Sequence, residues 1–179
     1  NIINIIMTGN FNFSPNSDGA LYFVNEIFPH LKNESIHIKF IIAGKNPPKR
    51  IMQLAEIHDD IIVTGFVKDM RNILYNADIF VNPLRIGGGA RTKILEAFAI
   101  KIPVISTTIG IGYGYDLIDG KDIIIADSKF EFINRMKKLI NSKSLRNKIA
   151  QNAFELVNKK YSIDRVNHKY QDELLKLVI

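Results

Sequence analysis

Six short apolar runs recur along the chain: INIIMTG (3–9), IHIKFIIAG (36–44), DIIVTG (60–65), DIFVNP (78–83), PVIST (103–107) and DIIIAD (122–127). Each is β-branched and almost continuously hydrophobic, the pattern of strands buried on both faces of a parallel sheet. Helical periodicity fills the gaps. Over 18–31, Leu21, Val24, Ile27, Phe28 and Leu31 share one face, and 48–57, 68–76 and 91–100 follow the same rule. Three more helices are expected near the end, over 129–141, 143–160 and 163–178. Strand–helix alternation at this spacing predicts right-handed βαβ units. The expected fold is a Rossmann-like α/β domain: a doubly wound parallel sheet of about six strands with flanking and C-terminal helices. No repeat, low-complexity tract or linker divides it, so 1–179 is expected to form one domain.

In such a sheet, ligands bind beyond the carboxyl ends of the strands. One of those ends leads into RIGGGARTKILEA (85–97). Gly87, Gly88 and Gly89 place bare backbone at a helix start, where the first N–H groups lack intrahelical partners and the helix dipole is positive. That is an anion cradle of the kind that takes phosphate. Arg91 and Lys93 fall in the first turn, where a cation is unfavourable by about 0.3–1 kcal/mol unless an anion offsets it. Thr92 and Glu96 are four residues apart and share a helix face. A carboxylate one turn past a phosphate cradle suits the cis-diol of a ribose. As an isolated residue, Glu96 would better suit an exposed helix position paired with a lysine; the three glycines and two bases before it favour the nucleotide reading.

Other chemistries of doubly wound sheets fail on residues. The turn after the first strand, GNFNFSPNS, does not supply G-x-G-x-x-G, and no G-x-x-x-x-G-K-[ST] occurs. The ends of the first and third strands carry Thr8-Gly9 and Thr64-Gly65 where a phosphorelay receiver is expected to hold acids. His30, His37, His58 and His168 are scattered without metal-ligand spacing, so no metal and no cofactor are expected.

Composition adds three constraints. The apolar fraction of 46% suits a globular core, and the absence of cysteine excludes disulfides and thiolate metal sites. No apolar run is long enough to span a bilayer and no signal peptide is evident, so a cytoplasmic protein is expected. The chain enters its first strand directly from Asn1, as a piece of a longer protein would. The net charge of +6 is uneven: between Lys129 and Lys169, 11 Lys/Arg stand against Glu131, Glu155 and Asp164. Such a segment is either a set of solvated helix faces or a patch for anionic lipid or nucleic acid.

Taken together, MTGNFNFSPNSDGALYFVNEIFP (7–29), FIIAGKNPP (40–48), VTGFVKDMRNILYNADIFVNPL (63–84), GGGARTKILEAFAIKIPVISTTIGIGYG (87–114) and KKYSIDRV (159–166) resemble the C-terminal, donor-binding half of a GT-B glycosyltransferase of family 4, the retaining group. The match spans nearly the whole chain in order and is most specific over 87–107. The resemblance implies a nucleotide-sugar donor, an acceptor domain N-terminal to this chain, and glycosyl transfer to a glycan, lipid or polysaccharide precursor. It implies that Glu96 is the second acid of E-x7-E and holds the ribose. Gly88, Gly89, Ala90 and Arg91 would line the diphosphate, Phe66 and Val67 would lie against the base, and Gly9 would open the loop facing the interdomain cleft. Tyr161 and Ser162 would precede a final crossing helix.

Two features depart from the pattern. Gly88 stands where the first acid of E-x7-E belongs. No base follows Gly9 until Lys32, so neutralising the diphosphate falls to Arg91, Lys93 and Arg85. Three rivals follow: another GT-B enzyme such as a sugar-nucleotide epimerase, a nucleotide-binding module that has lost catalysis, and a docking module using the basic segment. The preferred reading takes a nucleotide-sugar and the rest of the same enzyme as partners. It adds an anionic membrane surface at the inner face as a further candidate and excludes nucleic acid.

Overall fold

In a computed structural model of the chain, residues 2–32, 36–162, 165–167 and 171 are described. Six strands, β1 (Ile2–Asn10), β2 (His37–Lys45), β3 (Ile61–Gly65), β4 (Ile79–Asn82), β5 (Val104–Ser106) and β6 (Ile124–Ile125), form one parallel sheet. The strand order is β3-β2-β1-β4-β5-β6, the doubly wound arrangement expected from the alternation.

The apolar runs are continuous because both sheet faces are covered. Ile5, Met7, Phe40, Ile42, Val81 and Ile105 turn into one core. Ile6, Ala43, Phe80 and Val104, one residue out of phase, turn into the other. The first core is closed by α1 (Ser14–Tyr22) with the turns that follow it and by α7 (Lys129–Asn141). There Phe23 lies 4.6 Å from Phe40 and meets Phe132 edge-on at 6.1 Å, geometries that aromatic quadrupoles favour. The second core is closed by α5 (Thr92–Ala99), through Ile94, Ala97 and Phe98, and by α8 (Lys143–Leu156), through Ala153.

Several elements depart from expectation. The first helix starts at Ser14, with Pro15 in its first turn, where a missing N–H costs nothing. It then changes to a π-turn (Phe23–Ile27) and a 3-10 turn (Phe28–His30), because Pro29 cannot donate to a continuing ladder. The helices over 48–57 and 68–76 shrink to α2 (Lys49–Met52), α3 (Leu54–Ile57) and α4 (Arg71–Leu74). A one-turn helix, α6 (Thr108–Ile111), was not anticipated; Thr107 caps it by accepting from the Gly110 amide. The last strand is shorter than 122–127, spanning Ile124–Ile125, and side-chain hydrogen bonds flank it. Asp122 accepts from the Ile118 amide and Asp119 from that of Ile125. The helix expected over 163–178 falls largely outside the described residues.

The basic segment is partly structural. Ser128 and Glu131 form a capping box at the start of α7. Arg146 is buried and donates to the carbonyls of Leu139 and Ile140, satisfying the end of that helix. Lys129, Arg135 and Lys160 pair with Glu26, Asp119 and Asp116. Lys137, Lys138, Lys143, Lys148 and Lys159 stay exposed. Among the described residues no helix is long and apolar enough to cross a membrane.

β1 and β2 run in register to Gly9 and Gly44, where a Cβ on Gly44 would stand 1.8 Å from the Gly9 carbonyl oxygen and φ is +149°. Gly44→Ala should therefore lower stability by roughly 2–4 kcal/mol, read as a lower urea midpoint at unchanged m. An unchanged midpoint would show that the strand ends do not need this approach.

Candidate functional site

The strand order reverses direction between β1 and β4, and the crevice at that point is where doubly wound sheets take ligands. Its walls are the end of β1 (Thr8, Gly9, Asn10), the start of α1, and the loop and helix α5 that follow β4. One side chain ties them together. The Lys93 ammonium donates to the Thr8 carbonyl at 2.6 Å and to Asn16 Oδ1 at 2.9 Å. Asn16 in turn donates from Nδ2 to the Asn10 carbonyl at 2.9 Å. Burial, helped by the Arg91 charge and opposed by that of Glu96, lowers the pKa of Lys93 from 10.5 to about 8.

Beside this knot lies a pocket of about 300 Å³ lined by Gly9, Lys45, Phe66, Val67, Lys93 and Glu96, among others. It brings together five of the sequence-predicted residues from three separate segments. Phe66 is 67% exposed at the pocket, with the Lys45 ammonium over its ring, 5.3 Å from the centroid. Glu96 is exposed and has no hydrogen-bonded or ion-paired partner among the described residues.

The glycine loop forms a second compartment, outside the pocket lining and joined to it through the first turn of α5. Gly87, Gly88, Gly89 and Ala90 are exposed, and Thr92 is exposed at the first helical position. Arg91 is the N-cap residue. Its Nε and Nη2 are buried without a hydrogen-bond partner. Orphaned charged donors cost more than the 1–3 kcal/mol of a neutral buried group. The loop presses on them: a Cβ at Gly87 would stand 2.8 Å from Arg91 Nη2. From the other side, Gly112 meets the Gly89 carbonyl so closely that a Cβ there would stand 2.0 Å away.

Arg85 does not join this group. It donates to both carboxylate oxygens of Asp18, at 2.6 and 3.1 Å, and lies over the Tyr22 ring. The fold brings Asp18 to it from α1, a long-range pairing without local sequence signal. Two residues of the site were not singled out from sequence: Asn16, which completes the Lys93 knot, and Tyr115, beside Arg91. Asn16 follows a proline at a helix start, a position that says nothing of a partner on α5.

The depressed pKa of Lys93 has a defined consequence for stability. Between pH 8 and 10.5 the unfolded chain holds this proton more firmly than the folded one, so the contribution of Lys93 to stability rises with pH across that window. A side-chain NMR titration should show one lysine with a midpoint near 8, lost in Lys93→Met, and the variant should lack that share of the alkaline gain. A Lys93 midpoint near 10.5 would contradict the buried geometry.

Comparison with known proteins agrees with the fold. The family model described as Glycosyl transferases group 1 matches residues 3–142. The capsular polysaccharide biosynthesis glycosyltransferase CapM of Staphylococcus aureus is 24% identical over 81% of this chain and 40% of its own length. The C-terminal domain of a glycosyl transferase group 1 family protein, LpcC, from Francisella tularensis superposes with a TM-score of 0.68. It is 26% identical, and the match covers 90% of this chain and 86% of that one. HepE of Anabaena, solved in complex with UDP, shares the fold with a TM-score of 0.78 at 13% identity, over 98% of this chain and 49% of that one. The chain spans only 44% and 40% of the length of the curated relatives it matches. With a parallel six-stranded sheet and a family match over most of its length, this chain belongs to the group 1 glycosyl transferases, as a domain of the GT-B C-terminal type.

Proposed function

We propose that this chain is the donor-binding domain of a retaining, family 4 glycosyltransferase, and that the crevice between β1 and β4 binds a nucleoside diphosphate sugar. The observation that carries this reading is the buried, unpartnered guanidinium edge of Arg91 under an exposed glycine loop. A diphosphate supplies the acceptors these donors lack, in charge-assisted hydrogen bonds stronger than neutral ones. The nucleoside lies in the adjoining pocket, with its base against Phe66 and Val67 and its ribose hydroxyls on the free carboxylate of Glu96. That HepE binds UDP supports a nucleoside diphosphate as the ligand class.

Transfer of the glycosyl group leaves negative charge on the departing diphosphate. Backbone amides of the glycine loop and first helical turn, with Arg91 and Lys93, meet that charge with groups already in place. The reading assigns this task to the protein and to no metal ion or cofactor. The acceptor site belongs to a missing N-terminal domain, so this chain alone binds nucleotide without turnover. The enzyme acts at the cytoplasmic side, and the exposed lysines of α7 and α8 suit an anionic membrane surface. A second reading, a module that binds nucleotide but has lost catalysis, is favoured by one observation: Gly88 stands where the family's first acid belongs, with open space around it.

In a thermal-shift screen against UDP, GDP, ADP, CDP and dTDP, one diphosphate at 100 times its dissociation constant should stabilise the chain by about 2.7 kcal/mol. For a chain of this size that is about 5–10 °C in melting temperature. Arg91→Ala should weaken that diphosphate by about 10–100-fold, and Glu96→Ala should weaken diphosphate and free nucleoside alike. A chelator should leave both affinities unchanged. No response to any of the five nucleotides would remove the reading.

A further inference from the structure

The end of the last described helix reaches the glycine loop through a short relay. Tyr161 closes the π-turn Val157–Tyr161 that follows α8. Its hydroxyl accepts from the Asp116 backbone amide at 2.8 Å, and its ring meets Tyr115 edge-on at 5.6 Å. Lys160, its neighbour, holds the Asp116 carboxylate at 2.8 Å. Two consecutive residues of the 112–122 loop are thus gripped from α8. That loop is the one pressing on the anion compartment. Gly112 packs on the Gly89 carbonyl and near Arg91 Cγ, while Tyr115 lies close enough to Arg91 to feel both its backbone N–H and its charge. Tyr115 and Tyr161 are both half-buried and pack against the second core under α5, so they have a fixed seat from which to act.

This relay explains what the packing of α5 alone leaves open. Arg91 is the N-cap residue, and no side chain caps the helix there. A residue in that position is held only by its neighbours. Gly112 and Tyr115 bear on it from outside the glycine loop. Among the described residues Tyr161 makes no hydrogen bond or ring contact to Arg91 or the glycine loop.

We propose that Tyr161 is a positioning residue for the diphosphate compartment, acting through Asp116 and Tyr115 to hold Arg91 and the glycine loop in register for an anion. The proposal rests on the reading of 87–91 as a diphosphate site, and it separates that compartment from the nucleoside pocket. Loss of the Tyr161 hydroxyl slackens the loop over Arg91 and leaves Phe66, Val67 and Glu96 undisturbed.

Titration calorimetry on this chain tests it with one nucleoside diphosphate and the matching nucleoside. Tyr161→Phe keeps the ring contact with Tyr115 and removes the hydroxyl acceptor. It should weaken the diphosphate by about 5–10-fold, a typical hydrogen-bond contribution, and change nucleoside affinity by less than about twofold. Tyr115→Phe, which alters the other arm, should shift the same ratio. In an Arg91→Ala background the Tyr161→Phe effect should vanish, because a relay ending on Arg91 is not additive with its loss. Equal weakening of both ligands, no change in either, or full additivity with Arg91→Ala would each overturn the proposal. If the unaltered chain binds no diphosphate, it is the functional reading that fails.

Discussion

A lysine ammonium set on a backbone carbonyl holds the switch point of this sheet together. Lys93 reaches from α5 to the Thr8 carbonyl and to Asn16, so the last turn of β1, the first turn of α1 and the helix after β4 meet at one charge. Removing a cation from water is costly unless its hydrogen bonds are replaced. Here two of the three are replaced by neutral oxygens, and the residual cost appears as the fall of its pKa to about 8. That cost is one a functional crevice carries and a core generally avoids.

The rest of the site is arranged around that knot. With α5 fixed at its first turn, Glu96 one turn later faces the pocket floored by Phe66 and Val67, and Arg91 at the cap lies under the glycine loop. The two compartments differ in what they offer. The pocket presents an exposed aromatic ring, a free carboxylate and small-residue strand ends, which suit a nucleoside. The loop presents amides and an unsatisfied guanidinium edge, which suit an anion. Their junction at one helix turn is what a nucleotide, with its sugar between base and phosphate, requires.

The charge on the surface divides into two populations. Arg85, Lys129, Arg135, Arg146 and Lys160 hold elements together through Asp18, Glu26, Asp119, helix-end carbonyls and Asp116. Most of these pairs are exposed and individually contribute little; the buried Arg146 is the exception, since it satisfies carbonyls that would otherwise lack partners. The remaining lysines of α7 and α8 are solvated and unpaired among the described residues.

The layers follow from the order of residues alone. Continuous β-branched runs demand a sheet covered on both faces, and the helical period between them demands a parallel, doubly wound order. Glycines before a helix with Arg91, Lys93 and Glu96 in its first turns marked the place of the crevice, because those signals are local. What the tertiary structure decided is every pairing across distance. Lys93 with Thr8 and Asn16, Arg85 with Asp18, and Tyr161 with Asp116 join residues whose separation along the chain leaves no periodic trace. A side chain's partner is set by which elements the sheet order brings together, and that order is a property of the packed chain and of no single segment.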